Sequence, residues 1–232
     1  MDFTVCTYNI HSWVGRGRRY NPQLTLKVLA EVGADIYALQ EFHSSAHESG
    51  DFVTWIGRET GLHPIPGPTL LRQERPYGNV VLTRFPPRDI QRMDISVPSH
   101  EPRGVLDVRR RGLPFPTRIV ATHLGLGPAE RRTQMMALLE LFKEHSQGVS
   151  ILMGDLNEWF LWGKPLQWLR NEFGQTPEPA TFPARFPFLA LDRIWVHPLQ
   201  ALIHIQVHDT PLAREASDHL PLKATIRFPL GS

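Results

Sequence analysis

Residues 149–157 read Val149-Ser150-Ile151-Leu152-Met153-Gly154-Asp155-Leu156-Asn157. Val149 to Met153 is a short apolar run suited to a buried strand, and it breaks at a glycine into a carboxylate and an amide. Just upstream, Gly127-Pro128 opens the clearest helix in the chain. Met135, Leu138, Leu139 and Phe142 fall at helical spacing, with Glu130 early and Lys143 and His145 late, as the helix dipole prefers. Gly148 closes that helix. Ahead of it, Thr117–His123 reads as another strand, so the region is a strand, a helical crossover and a strand.

The same grammar extends in both directions. Residues 2–10 form a strand with β-formers on both faces. Asn21-Pro22 caps a helix carrying Leu24, Val28 and Val32, and Gly33 ends it. Asp35 to Gln40 is a short buried strand ending at Glu41, and residues 51–61 are helical. Asn79–Arg84, Asp89–Val97 and Gly104–Arg110 have period 2, as do Leu191–Val196, Leu202–His208 and Leu220–Phe228. Strands outnumber helices, and hairpins alternate with helical crossovers. This predicts an α/β fold with two mixed sheets packed face to face and helices outside, rather than one parallel doubly wound sheet.

The chain has 232 residues, enough for a substantial core without staples. No repeat or linker-like stretch divides it, so one domain over residues 1–232 is the expectation, with a monomer as the simplest assembly. The single cysteine, Cys6, excludes an internal disulfide and a cysteine metal cluster. There is no apolar run of about 18 residues to span a membrane, and no signal peptide is visible at the start. A cytoplasmic address follows as an expectation. A net charge of +2 is too small to argue by itself for a nucleic-acid partner.

The informative feature is where the polar residues fall. Asn9 and His11 follow a strand; Glu41 and His123 each end one. Asp155 and Asn157 follow a strand, Asp192 precedes one, and Asp218-His219 precede the last. Taken singly, each has an ordinary reading as a turn residue or a structural histidine. Turn chemistry, however, needs no particular inventory. Carboxylates, amides and imidazoles gathered at strand ends suit hard-cation binding combined with acid–base chemistry.

Seven strings then carry a resemblance: Thr7-Tyr8-Asn9-Ile10-His11, Leu39-Gln40-Glu41, Tyr77-Gly78-Asn79, Thr122-His123-Leu124, Gly154-Asp155-Leu156-Asn157, Leu191-Asp192-Arg193-Ile194 and Ser217-Asp218-His219. In this order they resemble the motifs of the endonuclease/exonuclease/phosphatase superfamily, across nearly the whole chain. The resemblance implies a four-layer α/β/β/α sandwich with the site between the two sheets. It also implies cleavage of phosphoester bonds by water with Mg²⁺, or in some members Mn²⁺. Nucleic acid is the first substrate expected. A small phosphorylated molecule or a lipid headgroup is the alternative, and a non-catalytic binding module is the distant one.

Carried onto these positions, the resemblance makes Glu41 the metal ligand, with Asn9 holding it and Asp218 serving the metal or its neighbours. Asp155 would orient or activate water, and Asn157 would bind a phosphoryl oxygen. His219 would accept the water proton or stabilise the phosphate, paired with Asp192. His123 would touch the phosphate or supply the leaving-group proton. Asn79, Tyr77 and His11 are expected near the phosphate, although Tyr77-Gly78-Asn79 also reads as a plain turn. Two departures matter: Phe42-His43 replaces the lysine usual in abasic-site endonucleases, and those enzymes lack a histidine at the position of His123. The strings Leu124–Arg132 and Thr181-Phe182-Pro183 resemble a compact bacterial subgroup. Of three further segments, two keep two readings each and one keeps a single reading. Gly15–Arg19 is a solvated loop or a phosphate contact, and Arg109–Arg111 is an exposed hairpin end. Trp159, Phe160, Trp162 and Trp168 are either core beneath the site or a surface for a base, a groove or lipid.

Overall fold

Along the first strand, Phe3 and Val5 point one way and Cys6 and Tyr8 the other, and all four are buried. A strand covered on both faces needs a second sheet on one side and helices on the other. The computed structural model shows that arrangement; it describes residues 2–44, 52–72, 74–110, 116–143 and 148–228. Arg111, His145 and the last four residues, 229–232, lie outside the described residues.

In chain order the elements are β1 (Asp2–Asn9), β2 (Val14–Gly15), β3 (Arg19–Tyr20), α1 (Pro22–Val32), β4 (Ile36–His43) and α2 (Phe52–Thr60). Then come β5 (His63–Arg72), β6 (Arg75–Thr83), β7 (Asp89–Asp94), β8 (Gly104–Arg110), β9 (Thr117–His123) and α3 (Pro128–Phe142). The chain finishes with β10 (Val149–Asp155), α4 (Lys164–Phe173), β11 (Asp192–His197), β12 (Leu202–Val207), α5 (Pro211–Ala216) and β13 (Leu222–Arg227). One sheet has six strands in the order β12-β13-β1-β4-β6-β5, and the other has five in the order β11-β10-β9-β8-β7. Each contains one parallel pair joined by a helical crossover: β1 with β4 through α1, and β9 with β10 through α3. All other neighbours in these two sheets are antiparallel.

The core has three layers of contact. Val5, Ile36, Val81, Leu106, Ile151 and Ile194 belong to the cluster between the sheets. Tyr8, Val28, Leu39, Trp55 and Leu82 pack beneath α1 and α2. Val120, Leu138, Leu152, Leu169 and Trp195 pack beneath α3 and α4. The four-layer sandwich that the resemblance implies is therefore the observed one. No helix among the described residues is long and apolar enough to cross a membrane.

Several boundaries differ, each for a local reason. β5 is unexpected because Pro64, Pro66 and Pro68 read as loop. It is an edge strand, and prolines at alternate positions there remove only outward-facing donors. β7 stops at Asp94, short of the expected Val97, because Asp94 Oδ1 accepts the Ser96 N–H at 2.8 Å and turns the chain. α4 and α5 were not expected. Pro165 sits in the first turn of α4, whose buried stripe is Leu166, Leu169 and Phe173. The Thr210 hydroxyl caps α5 by accepting the Ala213 N–H at 3.1 Å. Arg109 is not an exposed hairpin end: it reaches Asp107 at 3.1 Å, beside the buried Arg118.

Candidate active site

Parallel strands that leave a sheet side by side bring their carboxyl ends together. β1 ends at Asn9 and β4 passes through Glu41; in the facing sheet β9 ends at His123 and β10 at Asp155. β11 begins at Asp192, directly opposite Asp155 in the ladder, and His219 lies just before β13. Six predicted residues thus share one end of the sandwich.

The two sheets meet at Asn9. Its Nδ2 donates to Glu41 Oε1 at 3.1 Å and to Asp155 Oδ2 at 3.0 Å, so one amide bridges the metal-ligand candidate and the water-activating candidate. The same Asp155 oxygen lies 3.5 Å from His123 Nε2 and 3.7 Å from His219 Nε2. The other Asp155 oxygen accepts the Asn157 N–H at 2.9 Å, which fixes the carboxylate plane.

Local backbone conformation places these groups. Between Leu39 and Phe42 the β4–β6 register slips, and Glu41 takes φ +56°, so its side chain leaves the pleat and is only half-buried. The strand does not end there but continues to His43. Asn157 is also left-handed, at φ +49°, and its amide points back to the Leu124 carbonyl at 2.9 Å and to His123 Nε2 at 3.1 Å. Gly154 lets β10 approach β9: a Cβ there would stand 1.9 Å from the Thr122 carbonyl oxygen.

Two histidines are driven in opposite directions. Burial opposes charge on His219, but Asp192, Asp155 and Asp218 overcome it and push its pKa up to about 10. Asp192 Oδ2 lies 2.8 Å from His219 Nδ1 and accepts the Thr181 hydroxyl at 2.6 Å. The three carboxylates thus favour the imidazolium form of His219, which suits stabilising negative charge more than accepting a proton. Burial holds His123 down at about 3, with Arg103 adding to the effect against Asp155. His123 is a neutral imidazole.

The remaining predicted residues divide. Tyr77 and Asn79 are not in a turn but within β6. With Glu41, Arg103 and His123 they line a small cleft. Burial and the Glu41 charge raise the Tyr77 phenol, and the Arg72 guanidinium stacks 3.9 Å from its ring centroid. His11 and Asp218 pair with each other at 3.6 Å, half-exposed at the rim, and the His11 backbone N–H joins the pair to the site by donating to Asn9 Oδ1 at 3.0 Å. Ser217 ties this motif to β1 by donating to the Asn9 carbonyl at 2.7 Å and accepting the His219 N–H at 3.2 Å. Gly15–Arg19 packs on α5, where the Arg16 N–H donates to the Glu215 carbonyl at 2.8 Å.

Arg103 is the main addition. Its guanidinium is buried, lies 3.3 Å from His123 Nδ1, and pairs with Glu101 at 2.9 Å. Its Nε has no partner among the described residues. Thr181 is the second addition, through its bond to Asp192. Thr181 was marked only within the Thr181-Phe182-Pro183 string, with no site role, and no sequence pattern marked Arg103.

The donor set bears on a metal. Glu41, Asp155 and Asp192 are hard oxygen donors, and Asp192 Oδ1 is buried without a partner among the described residues. Asp155, Asp192 and His219 offer ligand atoms within 4.8 Å of one another. Asp192 and His219 are already bonded to each other, however, which leaves Glu41 as the more open carboxylate. Three carboxylates gathered at one end of the sandwich repel one another, so the set fits a divalent cation.

Comparison with known proteins agrees with this architecture. The chain is 33% identical over 253 residues to the uncharacterized protein YbhP of Escherichia coli strain K12, an alignment that covers 98% of this chain and 97% of that one. A crystal structure of an endonuclease/exonuclease/phosphatase from Beutenbergia cavernae superposes with TM-score 0.79 at 21% identity, covering 98% of this chain and 72% of the other. A conserved protein of unknown function from Enterococcus faecalis V583 gives TM-score 0.77 at 16% identity, covering 97% and 100%. The sequence profile of the Endonuclease/Exonuclease/phosphatase family matches residues 6–219, and with the fold and the order of strand-end residues it shows that the chain belongs to that family.

Proposed function

We propose that the protein is a divalent-cation-dependent phosphodiesterase that cleaves a P–O bond by attack of water. The observation that carries this reading is the convergence on Asp155 Oδ2 of Asn9, His123 and His219, from both sheets, at 3.0, 3.5 and 3.7 Å. In this reading Asp155 takes a proton from water as the water oxygen attacks phosphorus. The new P–O bond forms while the bond to the leaving oxygen breaks; that oxygen departs with the electron pair and is protonated by solvent. The His219 imidazolium, held charged by Asp192, meets the negative phosphoryl oxygens. Asn157, Asn79, neutral His123 and Arg103 supply hydrogen bonds that orient the phosphate. Glu41, with Asn9, would hold the Mg²⁺ or Mn²⁺ ion. When bound, the ion supplies Lewis-acid neutralisation of the charge that builds on phosphorus-bound oxygens.

Nucleic acid is the first substrate class. A lipid headgroup is the second, favoured by the exposed aromatic side chains that follow Asn157. The test is hydrolysis of bis-p-nitrophenyl phosphate, p-nitrophenyl phosphate and supercoiled plasmid with Mg²⁺, Mn²⁺ or chelator. Diester hydrolysis that needs the ion and disappears in Glu41→Gln supports the proposal. Activity on the monoester alone, or activity indifferent to chelation, contradicts it.

A further inference from the structure

The connection from β10 to β11 leaves the catalytic end of the sandwich and carries two apolar fingers. Trp159-Phe160-Leu161-Trp162 begins two residues after Asn157, and all four side chains are exposed, Trp162 at 73%. Phe186 and Phe188 are exposed at 67% and 72%, on a turn closed by the Phe182–Leu189 bridge. The Phe182 ring of that turn packs 4.8 Å from the His219 ring. Both fingers are therefore rooted in the site. Burying such side chains in the core is the usual outcome; here they are displayed.

The display is framed. Buried Glu158 pairs with buried Arg131 at 3.2 Å and accepts the Phe160 N–H at 3.1 Å. Arg170 donates to the Leu161 carbonyl at 2.6 Å, and the Gly163 N–H closes a turn onto the Phe160 carbonyl at 2.8 Å. A tied loop with outward aromatics is a pre-organised contact surface.

Charge identifies the occupant. Residues 159–171 and 179–191 contain no Asp or Glu, and each finger bears an exposed cation, Lys164 in one and Arg185 in the other. Exposed Trp, Phe and Leu beside Lys and Arg, without carboxylates, match a bilayer interface with anionic lipid. A single-stranded nucleic acid would need cations tracking its backbone between stacking rings; two cations do not make such a track, and Leu161 offers no ring. We propose that these fingers dock the protein on an anionic phospholipid surface. On the phosphodiesterase reading above, the substrate is then a phosphoester presented by a lipid headgroup.

The test is flotation of the full chain with vesicles of phosphatidylcholine alone or with about one third phosphatidylglycerol. The wild type is expected to float with the anionic vesicles. Trp162→Ser/Phe186→Ser/Phe188→Ser should reduce the bound fraction about tenfold or more, and Lys164→Glu/Arg185→Glu should reduce it on anionic vesicles. Both variants should keep wild-type hydrolysis of soluble bis-p-nitrophenyl phosphate. Failure of the wild type to float, equal flotation of wild type and the triple variant, or tryptophan quenching by oligo-dT but not by vesicles would each overturn the proposal. So would a wild-type dimer that the triple variant dissociates, with no vesicle binding. Flotation without any diester hydrolysis would sink the catalytic reading and leave the surface standing; hydrolysis without flotation would do the reverse.

Discussion

Asp192 is fully buried, accepts the Thr181 hydroxyl at 2.6 Å, and faces His219 Nδ1 at 2.8 Å. Asp192→Asn keeps the shape and removes the charge. In the wild type, burial opposes the imidazolium, yet three aspartates raise the His219 pKa from 6.5 to about 10, with Asp192 the leading attraction. That net shift corresponds to a preference on the order of 5 kcal/mol for the charged form, which is what remains of the three aspartates' attraction after burial has opposed it. Losing the largest share should bring the pKa down toward neutrality. The Asn amide also has to choose between Thr181 and the ring, which disturbs the tautomer. With an imidazolium required for phosphate stabilisation, activity persists up to its pKa and falls above it, so the alkaline limb should move to lower pH in the variant. At neutral pH, turnover should fall about a hundredfold to ten-thousandfold, the range seen when a histidine loses its orienting carboxylate. The assay is kcat for bis-p-nitrophenyl phosphate against pH, with ¹⁵N imidazole spectra of the metal-free protein reporting His219 directly. Turnover within about threefold of wild type, with an unmoved alkaline limb and an unmoved His219 resonance, would refute the reasoning.

Other outcomes follow from the same geometry. Arg103→Ala should raise KM for the diester about tenfold or more with a smaller effect on kcat, because the guanidinium reaches the cleft beside His123; an unchanged KM would remove it from the site. Gly154→Ala should destabilise by about 3 kcal/mol or more in urea titration, since its Cβ meets the Thr122 carbonyl oxygen at 1.9 Å; wild-type stability would mean that β9 and β10 can separate at no cost. The two histidines also shape the pH dependence of stability in the metal-free protein. His219 stays protonated in the folded state as pH rises from 6.5 toward 10, while the unfolded chain has lost that proton, so stability declines over this range. His123 stays neutral as pH falls from 6.5 toward 3, while the unfolded chain takes up the proton, so stability declines there too. Their combined contribution peaks near the unfolded histidine pKa, and urea titrations between about pH 5.5 and 8.5 should show that maximum rather than a monotonic slope.

Much of the site was legible because it depends on strand ends. Asn9, Glu41, His123 and Asp155 each close or interrupt a buried strand, and polar residues there gather at one end of the sandwich. The sandwich was legible because β1 and β4 are buried on both faces. What escaped notice has a common cause: it depends on partners remote in sequence. Arg103 follows a proline in a connection and acquires meaning only when β8 and β9 set it against His123. Thr181 sits eleven residues before Asp192 in an irregular segment. The bulge that aims Glu41 is a property of its pairing with β6, not of its own residues. β5 was hidden because proline normally breaks strands, and only an edge position tolerates three of them. The finger at 159–162 was ambiguous because hydrophobic side chains usually mark core, and the one at 186–188 carried no motif; solvent exposure is a property of the folded chain.

Asp155 is the atom-level centre of this account, so Asp155→Asn is its most direct test. Asn is nearly isosteric and can still accept the Asn157 N–H, but it cannot take a proton from water. Hydrolysis of bis-p-nitrophenyl phosphate with saturating Mg²⁺ should fall about a thousandfold or more in protein shown to be folded at the assay temperature. A correctly folded Asp155→Asn protein that turns over the diester at close to the wild-type rate would contradict the claim that water is activated there.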